Sequence, residues 1–506
     1  MFKFAKRVAS FKSVVIAAGG VLAFSVCGEG VAAPLKLSPQ DVVDLALKQS
    51  PEVKQAELQA QMAEGSAERD RGPYDLIFKL SPSYEYTEAL TLAGTGNPND
   101  RTMTLASSLS KQFSTGTNLT LEFNRISQES TLSSFTANLR KPRAAMDTLT
   151  LTIRQALWRN ILGEADRAVL RTADAKVLSA RLTREEKLEE AILSALSLYW
   201  NAYVAETQLK ENTAARQKYE ELVRAVRRKA GFNLSTPGEL PRLEAEFAAA
   251  DARVKISSQQ YLAALDNLRT ALRIESKEPI VFQASATTAA DIPAIPSLKE
   301  VDVTRLRPML VSELTRENAD RGRAIANSAN RPRLDLVARA RSTGVDETSD
   351  LSFSKMTSGS QPTYVVGVEL EWPLDSSAFR GARAEAEANY QLAEVSHRLT
   401  LDRIRDSLAD VERRASAFRE NALSSIEVVN KRGRVVSELE RSYRQGRTPL
   451  VELIRSFNEL FVSQQERAAA VGNYMIALNQ WASMRDELVK STVDPEEIER
   501  AIRASK

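Results

Sequence analysis

Two short stretches, far apart in the chain, restrict what it can become. The first, Tyr443-Arg444-Gln445-Gly446-Arg447-Thr448-Pro449-Leu450-Val451-Glu452-Leu453, lies between two long charged helical patterns. Gly446 tolerates the left-handed conformation that ends a helix. Thr448 then offers an N-cap hydroxyl, and Pro449 suits the first helical position. The stretch reads as the tip of a helical hairpin. The second, Gly231-Phe232-Asn233-Leu234-Ser235-Thr236-Pro237-Gly238-Glu239-Leu240, reads as the same device, with Thr236 and Glu239 spaced as a capping box. A chain with two such tips carries two long helical hairpins.

The flanking patterns extend this reading. A helical pattern runs from about 157 to 230, broken only by Gly163 near its start. Some 70 residues at ~1.5 Å each make a rod of about 100 Å. A partner helix follows over about 237–272. The second pair covers about 379–445 and 449–487, and Ile404, Leu408, Val411, Ala415 and Phe418 keep the 4-3 spacing of a heptad seam. Ahead of each pair the period changes to two. Segments 76–90, 101–113, 117–126 and 146–153 alternate in the first half, with a turn at Ser114-Thr115-Gly116-Thr117 and polar loops near 92–100 and 127–145. In the second half Leu334, Leu336, Ala338 and Ala340 mark one strand, and Tyr364, Val366, Val368, Leu370 and Trp372 another, with a polar loop between. Short helices open at Pro39, Pro51 and Pro308; Gly72-Pro73 and Pro332 end two of them.

The plan is therefore run through twice. Glu239-Leu240, Tyr261, Leu265 and Asn267 fall on Glu452-Leu453, Tyr474, Leu478 and Gln480 at one offset of about 213, without a gap. The organisation expected is a first repeat over 33–274, a Pro-containing connector over 275–300, a second repeat over 301–487 and a charged tail over 488–506. Within the repeats, strands occupy about 74–155 and 333–372, and coiled-coil hairpins about 157–272 and 379–487.

Lys+Arg of 69 against Asp+Glu of 66 gives a net charge of +3, which argues against a nucleic-acid binder. Residues 1–32 read as a secretory signal: Lys3, Lys6, Arg7 and Lys12 precede an apolar run from Val14 to Cys27, and small residues follow. Phe24-Ser25-Val26 before Cys27 is a poor lipidation box, so the mature chain is expected to hold no cysteine. No stretch approaches the ~18 apolar residues of a membrane-crossing helix. There is no Cys/His cluster, HExxH, phosphate loop or GxSxG. His397, the single histidine, reads as a solvated helical position. Of Trp158, Trp200, Trp372 and Trp481, only Trp372, at a strand end, suits a membrane interface.

These features together carry a family resemblance. After an export signal, the order helix, strands, long helix, Gly-turn and long helix occurs twice, with Pro308 after Arg307, Trp372-Pro373-Leu374 at a strand end, and Tyr443-x-x-Gly446-x-x-x-Leu450-x-Glu452-Leu453 at a tip. The chain resembles the TolC-like outer-membrane efflux proteins. The resemblance implies a mainly α protein with a β-barrel portion, forming homotrimers that share one outer-membrane barrel above a periplasmic helical tunnel. It implies a passive exit duct of a tripartite efflux pump or type I secretion system, with no cofactor, and with a periplasmic adaptor and an inner-membrane transporter as partners. Gly231, Phe232, Gly446, Arg447 and Thr448 would be the adaptor-docking tips. Tyr443 and Glu239 fall on a pair that links neighbouring coiled coils in the closed state, and Glu452 on an acidic ring. Arg455 stands where the family has a second acidic residue; a pairing with Glu452 at i, i+3 would partly neutralise the ring. The first half shows more strand-like segments than the family's two, so either the barrel has extra strands or one hairpin lies outside it. The competing reading is an exported coiled-coil scaffold without channel activity.

Overall fold

The helices begin where the sequence supplies caps. The computed structural model describes residues 35–88, 99–131, 143–231, 238–275, 278–284, 288–296, 301–372, 374 and 377–503. After strand β1 (Leu35–Leu37), Ser38 caps α1 (Pro39–Gln49) in a full capping box with Asp41, and α2 (Pro51–Arg71) opens on its proline. Strands β2 (Leu76–Glu88), β3 (Asn99–Gln112), β4 (Thr117–Thr131) and β5 (Arg143–Ala156) follow, then the long α3 (Glu164–Ala230) and its partner α4 (Glu239–Leu272). Strand β6 (Ile280–Phe282) lies within the connector and pairs in parallel with β1. The second half contains α5 (Arg307–Ala329), β7 (Arg333–Asp346), α6 (Ser349–Thr357), β8 (Pro362–Glu371), α7 (Ser377–Arg444), α8 (Leu450–Met484) and α9 (Pro495–Arg503). The long helices α3 and α7 start at Glu164 and Ser377, the same offset of about 213 that the tip residues show.

Helix α3 starts at Glu164, later than the pattern from 157 suggested. Asn160 and Leu162 have left-handed φ of 62° and 50°, and the Asn160 Oδ1 accepts from the amides of Ala165 (2.9 Å) and Asp166 (3.2 Å). That side chain satisfies donors which a first helical turn leaves orphaned. The segment between β7 and β8 is not all loop, since α6 forms there. Along α7 the seam holds at Ile404, Leu408, Val411 and Ala415, passes through Ala422, Ile426, Val429 and Val436, and reaches Tyr443. Phe418 lies at its rim, exposed. His397 is not solvated: its ring nitrogens meet Glu313 (3.3 Å) and Ser312 (3.2 Å) on α5.

The helices form a layer four wide at two levels. Near the strands the neighbours run α2, α3, α5, α7; toward the tips they run α4, α3, α8, α7. Core clusters lie between them, around Tyr199 and Trp200 beside β1 and β6, and around Tyr219, Phe457 and Phe461 lower down. The connector is stitched to α8: the Tyr474 hydroxyl donates to Pro293 O (2.5 Å) and the Trp481 indole to Pro296 O (3.2 Å). The C-terminal segment is docked as well, with Val493 and Ile498 buried against Leu178, Leu182 and Leu314.

One buried cluster ties these pieces together. Arg307, at the start of α5, is 3% exposed. Its guanidinium meets Glu185 (3.1 Å) and Glu189 (2.9 Å) on α3, and also the carbonyl of Val489. Its amide donates to Asp486 (2.6 Å). Glu185 also accepts from Thr492 N (2.6 Å), Thr492 Oγ1 (2.7 Å) and Ser491 Oγ (2.8 Å). Burial raises Glu185, but those hydrogen bonds outweigh it and hold the carboxyl below its usual range. Burial pushes the Glu189 and Asp486 carboxyls up. Removing the cation would leave buried carboxylates uncompensated, at about 3–5 kcal/mol. Arg307→Met is expected to lower the urea midpoint accordingly. A raised carboxyl favours the fold below its folded pKa and loses that contribution as pH rises through it. The deficit should therefore be largest near pH 8 and shrink toward pH 5; denaturation curves at both values check this.

Candidate functional site

The second hairpin tip is built by a Schellman motif. Gly446 takes φ +73°, its amide donates to Tyr443 O (3.0 Å), and the Arg447 amide donates to Ser442 O (3.0 Å). This is the 6→1 and 5→2 pair that closes a helix C-terminus on a left-handed residue. Pro449, not Thr448, precedes the first turn of α8. The Thr448 hydroxyl is instead 2.6 Å from Ser442 Oγ, a brace across the turn. Gly446 and Arg447 are exposed.

The first tip is built differently. Gly231 ends α3 in right-handed geometry, and the left-handed glycine is Gly238, φ +88°, just before α4. Phe232 and the cap residue Thr236 lie outside the described residues.

The two tips meet within one chain. Tyr443 is buried in the lower core, with Lys229 Nζ 4.6 Å from its ring centroid. Burial pushes its hydroxyl up, and the nearby Glu239 carboxylate adds to the shift. The pair inferred as a link between neighbouring coiled coils is thus already close inside a single protomer. Above it, Tyr219 donates to Asn458 (2.9 Å) and Arg467 pairs with Glu211 (2.5 Å), joining α3 to α8. Glu452 is exposed on the first turn of α8. The expected Glu452–Arg455 pair does not form: Arg455 turns to Glu459 (3.2 Å), four residues on and better aligned along the helix.

At the opposite end, β2-β3-β4-β5-β7-β8 make one antiparallel sheet in that order. Register puts Leu76, Phe78, Leu80, Tyr84 and Tyr86 of β2 on the same face as Leu105 and Leu109 of β3 and Leu119, Leu121 and Phe123 of β4. Leu149, Leu151 and Ile153 of β5, Leu336, Ala338 and Ala340 of β7, and Tyr364, Val366, Val368 and Leu370 of β8 continue it. The other face carries Lys79, Glu122, Asn118, Thr148, Thr150, Thr152, Arg154, Arg339, Arg341 and Glu369. Along β5 the apolar Leu149, Leu151 and Ile153 are exposed while Thr150 is buried, so the sheet curls toward its polar side. Tyr84 and Tyr86 lie at the end of β2 far from the helices and Tyr364 near the start of β8, on the opposite edge of the sheet, while Trp158 and Trp372, both exposed, lie at the near end. Trp200 and Trp481 are core residues.

Where the apolar face stops, α6 covers it. Arg125 grips Asp147 with two bonds (2.7 and 3.1 Å), and Ser352 of α6 donates to the same carboxylate (2.9 Å). Phe353 packs edge-on against Phe123 at 6.2 Å. Gly344 makes this approach possible, because a β-carbon there would run into the α6 backbone at Ser352 and Met356.

Solved structures share this fold. The outer membrane protein VceC from Vibrio cholerae superposes with a TM-score of 0.61 at 15% identity, over 88% of this chain and 95% of that one. The Campylobacter jejuni CmeC outer membrane channel gives 0.62 at 14% identity, over 92% and 89%. The open-state Neisseria gonorrhoeae MtrE outer membrane channel gives 0.64 at 13% identity, over 90% and 91%. The fold is that of TolC-like outer-membrane channels. No family profile and no curated protein sequence matches the chain. The likeness is therefore one of architecture, carried by periodicity and duplicated order rather than by residue identity.

Sequence reasoning missed α6 and the ion pair between β4 and β5 to which its Ser352 is bonded. The signal that could have found the pair is that Arg125 and Asp147 fall opposite each other in register. Gly446→Ala should destabilise the second tip by about 1–2 kcal/mol, the cost of a β-carbon in the left-handed region. Faster amide hydrogen exchange at Gly446 and Arg447, with the α3–α4 hairpin unchanged, is the expected readout.

Proposed function

We propose that this protein is a passive exit duct in the outer membrane, a homotrimer whose sheets close one barrel and whose helices form a tunnel into the periplasm. The observation that carries this reading is the six-stranded sheet, apolar on one face and polar on the other, with both outer strands exposed along their length. Lipid cannot satisfy a free strand edge, so such a sheet is stable in a membrane only when closed. Among the described residues no helix is long and apolar enough to cross a bilayer, which leaves the sheet to do it. Residues 1–32 serve as the export signal. The duct takes cargo from an inner-membrane transporter through a periplasmic adaptor, in an efflux or type I secretion assembly. The adaptor docks at Gly231, Phe232, Gly446, Arg447 and Thr448.

The scaffold reading fits less well, since a water-soluble sheet would cover Leu76, Phe78, Val366 and Val368 rather than expose them. Outer-membrane fractions should yield heat-resistant trimers with channel activity in planar bilayers; a soluble monomer would reject the duct.

In this reading the tip is the gate. Tyr443 and Glu239 hold the two hairpins of each protomer together, and Glu452 places three carboxylates around the axis, with Arg455 engaged by Glu459 rather than by the ring. Replacing Tyr443 and Glu239 together is expected to raise single-channel conductance several-fold in a folded trimer. Unchanged conductance removes them from the gate. Glu452→Gln should weaken cation preference, by the logic of charge rings, and shift the reversal potential in a salt gradient toward zero.

A further inference from the structure

We infer that all six strands of each copy belong to the barrel wall, with β8 of one copy pairing directly to β2 of the next, so that the trimer encloses a bore of three times six, or eighteen, strands. This rests on the trimeric-duct reading and adds to it the strand count, the seam and its register.

Four observations support the inference. First, the alternation of the two faces continues across β3 and β4, through Leu105, Leu109, Leu119, Leu121 and Phe123, with Ser107 and Lys111 as polar exceptions on β3. A hairpin lying outside the wall would have no reason to keep the wall's alternation. Second, β2 and β8 are the two edges, and every described residue of both is exposed. With six antiparallel strands the last runs opposite to the first, so β8 meets a neighbouring β2 in antiparallel sense without any crossover.

Third, the widths agree. Each copy's helical layer is four helices across, about 36–40 Å at ~9–10 Å per helix. Six strands spaced ~4.8 Å and tilted ~35° span about 35 Å of circumference, whereas four would span about 23 Å. At this tilt the six-stranded sheet spans the layer beneath it.

Fourth, the seam has a register that satisfies geometry and charge together. Pairing Leu80 with Val368 and Tyr84 with Tyr364 keeps apolar residues on one face. Stepping straight across the sheet from Leu76 leads to Val366, which in this register faces Pro82 of the next copy. That advance of six residues per copy gives a shear of about 18 for eighteen strands, hence a tilt of about 35°. The same register sets Lys79 opposite Glu369 on the polar face, an opposite-charge cross-strand pair. Pro82 removes one donor from the ladder without shifting this register. The resulting barrel is about 34 Å across between backbones, against about 22 Å for twelve strands.

Cysteine cross-linking of the full chain in a Cys27→Ser background tests this. Leu80→Cys combined with Val368→Cys, oxidised in outer membranes, should give bands at two and three times the chain mass; either cysteine alone should not. Lys79→Glu should weaken the trimer toward dissociation in mild detergent, and adding Glu369→Lys should restore it. The alternative, four wall strands with β2–β3 outside, predicts that Val368→Cys joins a cysteine at Leu121 or Phe123 of β4 instead. That result, or a stable trimer in which Leu80 and Val368 never cross-link, would overturn the inference while leaving the trimeric duct standing. A protein that is monomeric and extractable without detergent would overturn both.

Discussion

A strand bordering hydrocarbon must have its backbone donors and acceptors paired, and in the proposed duct this demand shapes the molecule from the sheet downward. The chain meets it inside each copy with five unbroken antiparallel ladders, and leaves it unmet at β2 and β8. Those two strands are accordingly the least self-sufficient part of the chain, and in the proposed trimer their completion is a property of the assembly. The helical layer follows from the sheet above it. Four chain segments leave the sheet on one side, toward α2, α3, α5 and α7, and the same four helices stand side by side below.

What keeps strands and rods in one frame is polar rather than apolar. Long helices packed through narrow heptad seams can slide against one another, since each seam repeats every few residues. The Arg307 cluster occurs at one place along α3 and so defines a single registration between α3, α5 and the C-terminal segment. Arg125, Asp147 and Ser352 act likewise at the far end, fixing α6 on the sheet. Both clusters bury charge, which is costly when incompletely paired. Each places that charge where a merely hydrophobic contact would leave several positions nearly equivalent.

Most of the architecture was legible in the sequence because it is periodic. The duplication at an offset of about 213, the two rods, the six alternating segments and the Gly446 turn all register as local pattern, and the helix and strand bounds follow them within a few residues. What could not be read depends on contacts distant in sequence. The start of α3 is set by Asn160 folding back on its own first turn, which overrides the helical pattern from 157. Helix α6 is too short to show a clear stripe, and its reason for existing is a carboxylate some 205 residues away. At the tips, the motif placed Tyr443, Glu239 and Glu452 correctly on their elements. It could not say that Arg455 prefers Glu459, a choice between two neighbouring carboxylates that only side-chain geometry resolves. Nor could it say that the first tip relies on Gly238 rather than Gly231.

The strands β2 and β5 run in opposite senses, and their ends nearest α2 and α3 lie on the same side of the sheet. An additional hairpin between them therefore leaves the start and finish of the excursion unchanged, and the rods beneath need not be rebuilt. In the proposed trimer, a duct of this plan would alter its calibre by two ribbons per copy, six in all, with the rods beneath left as they are.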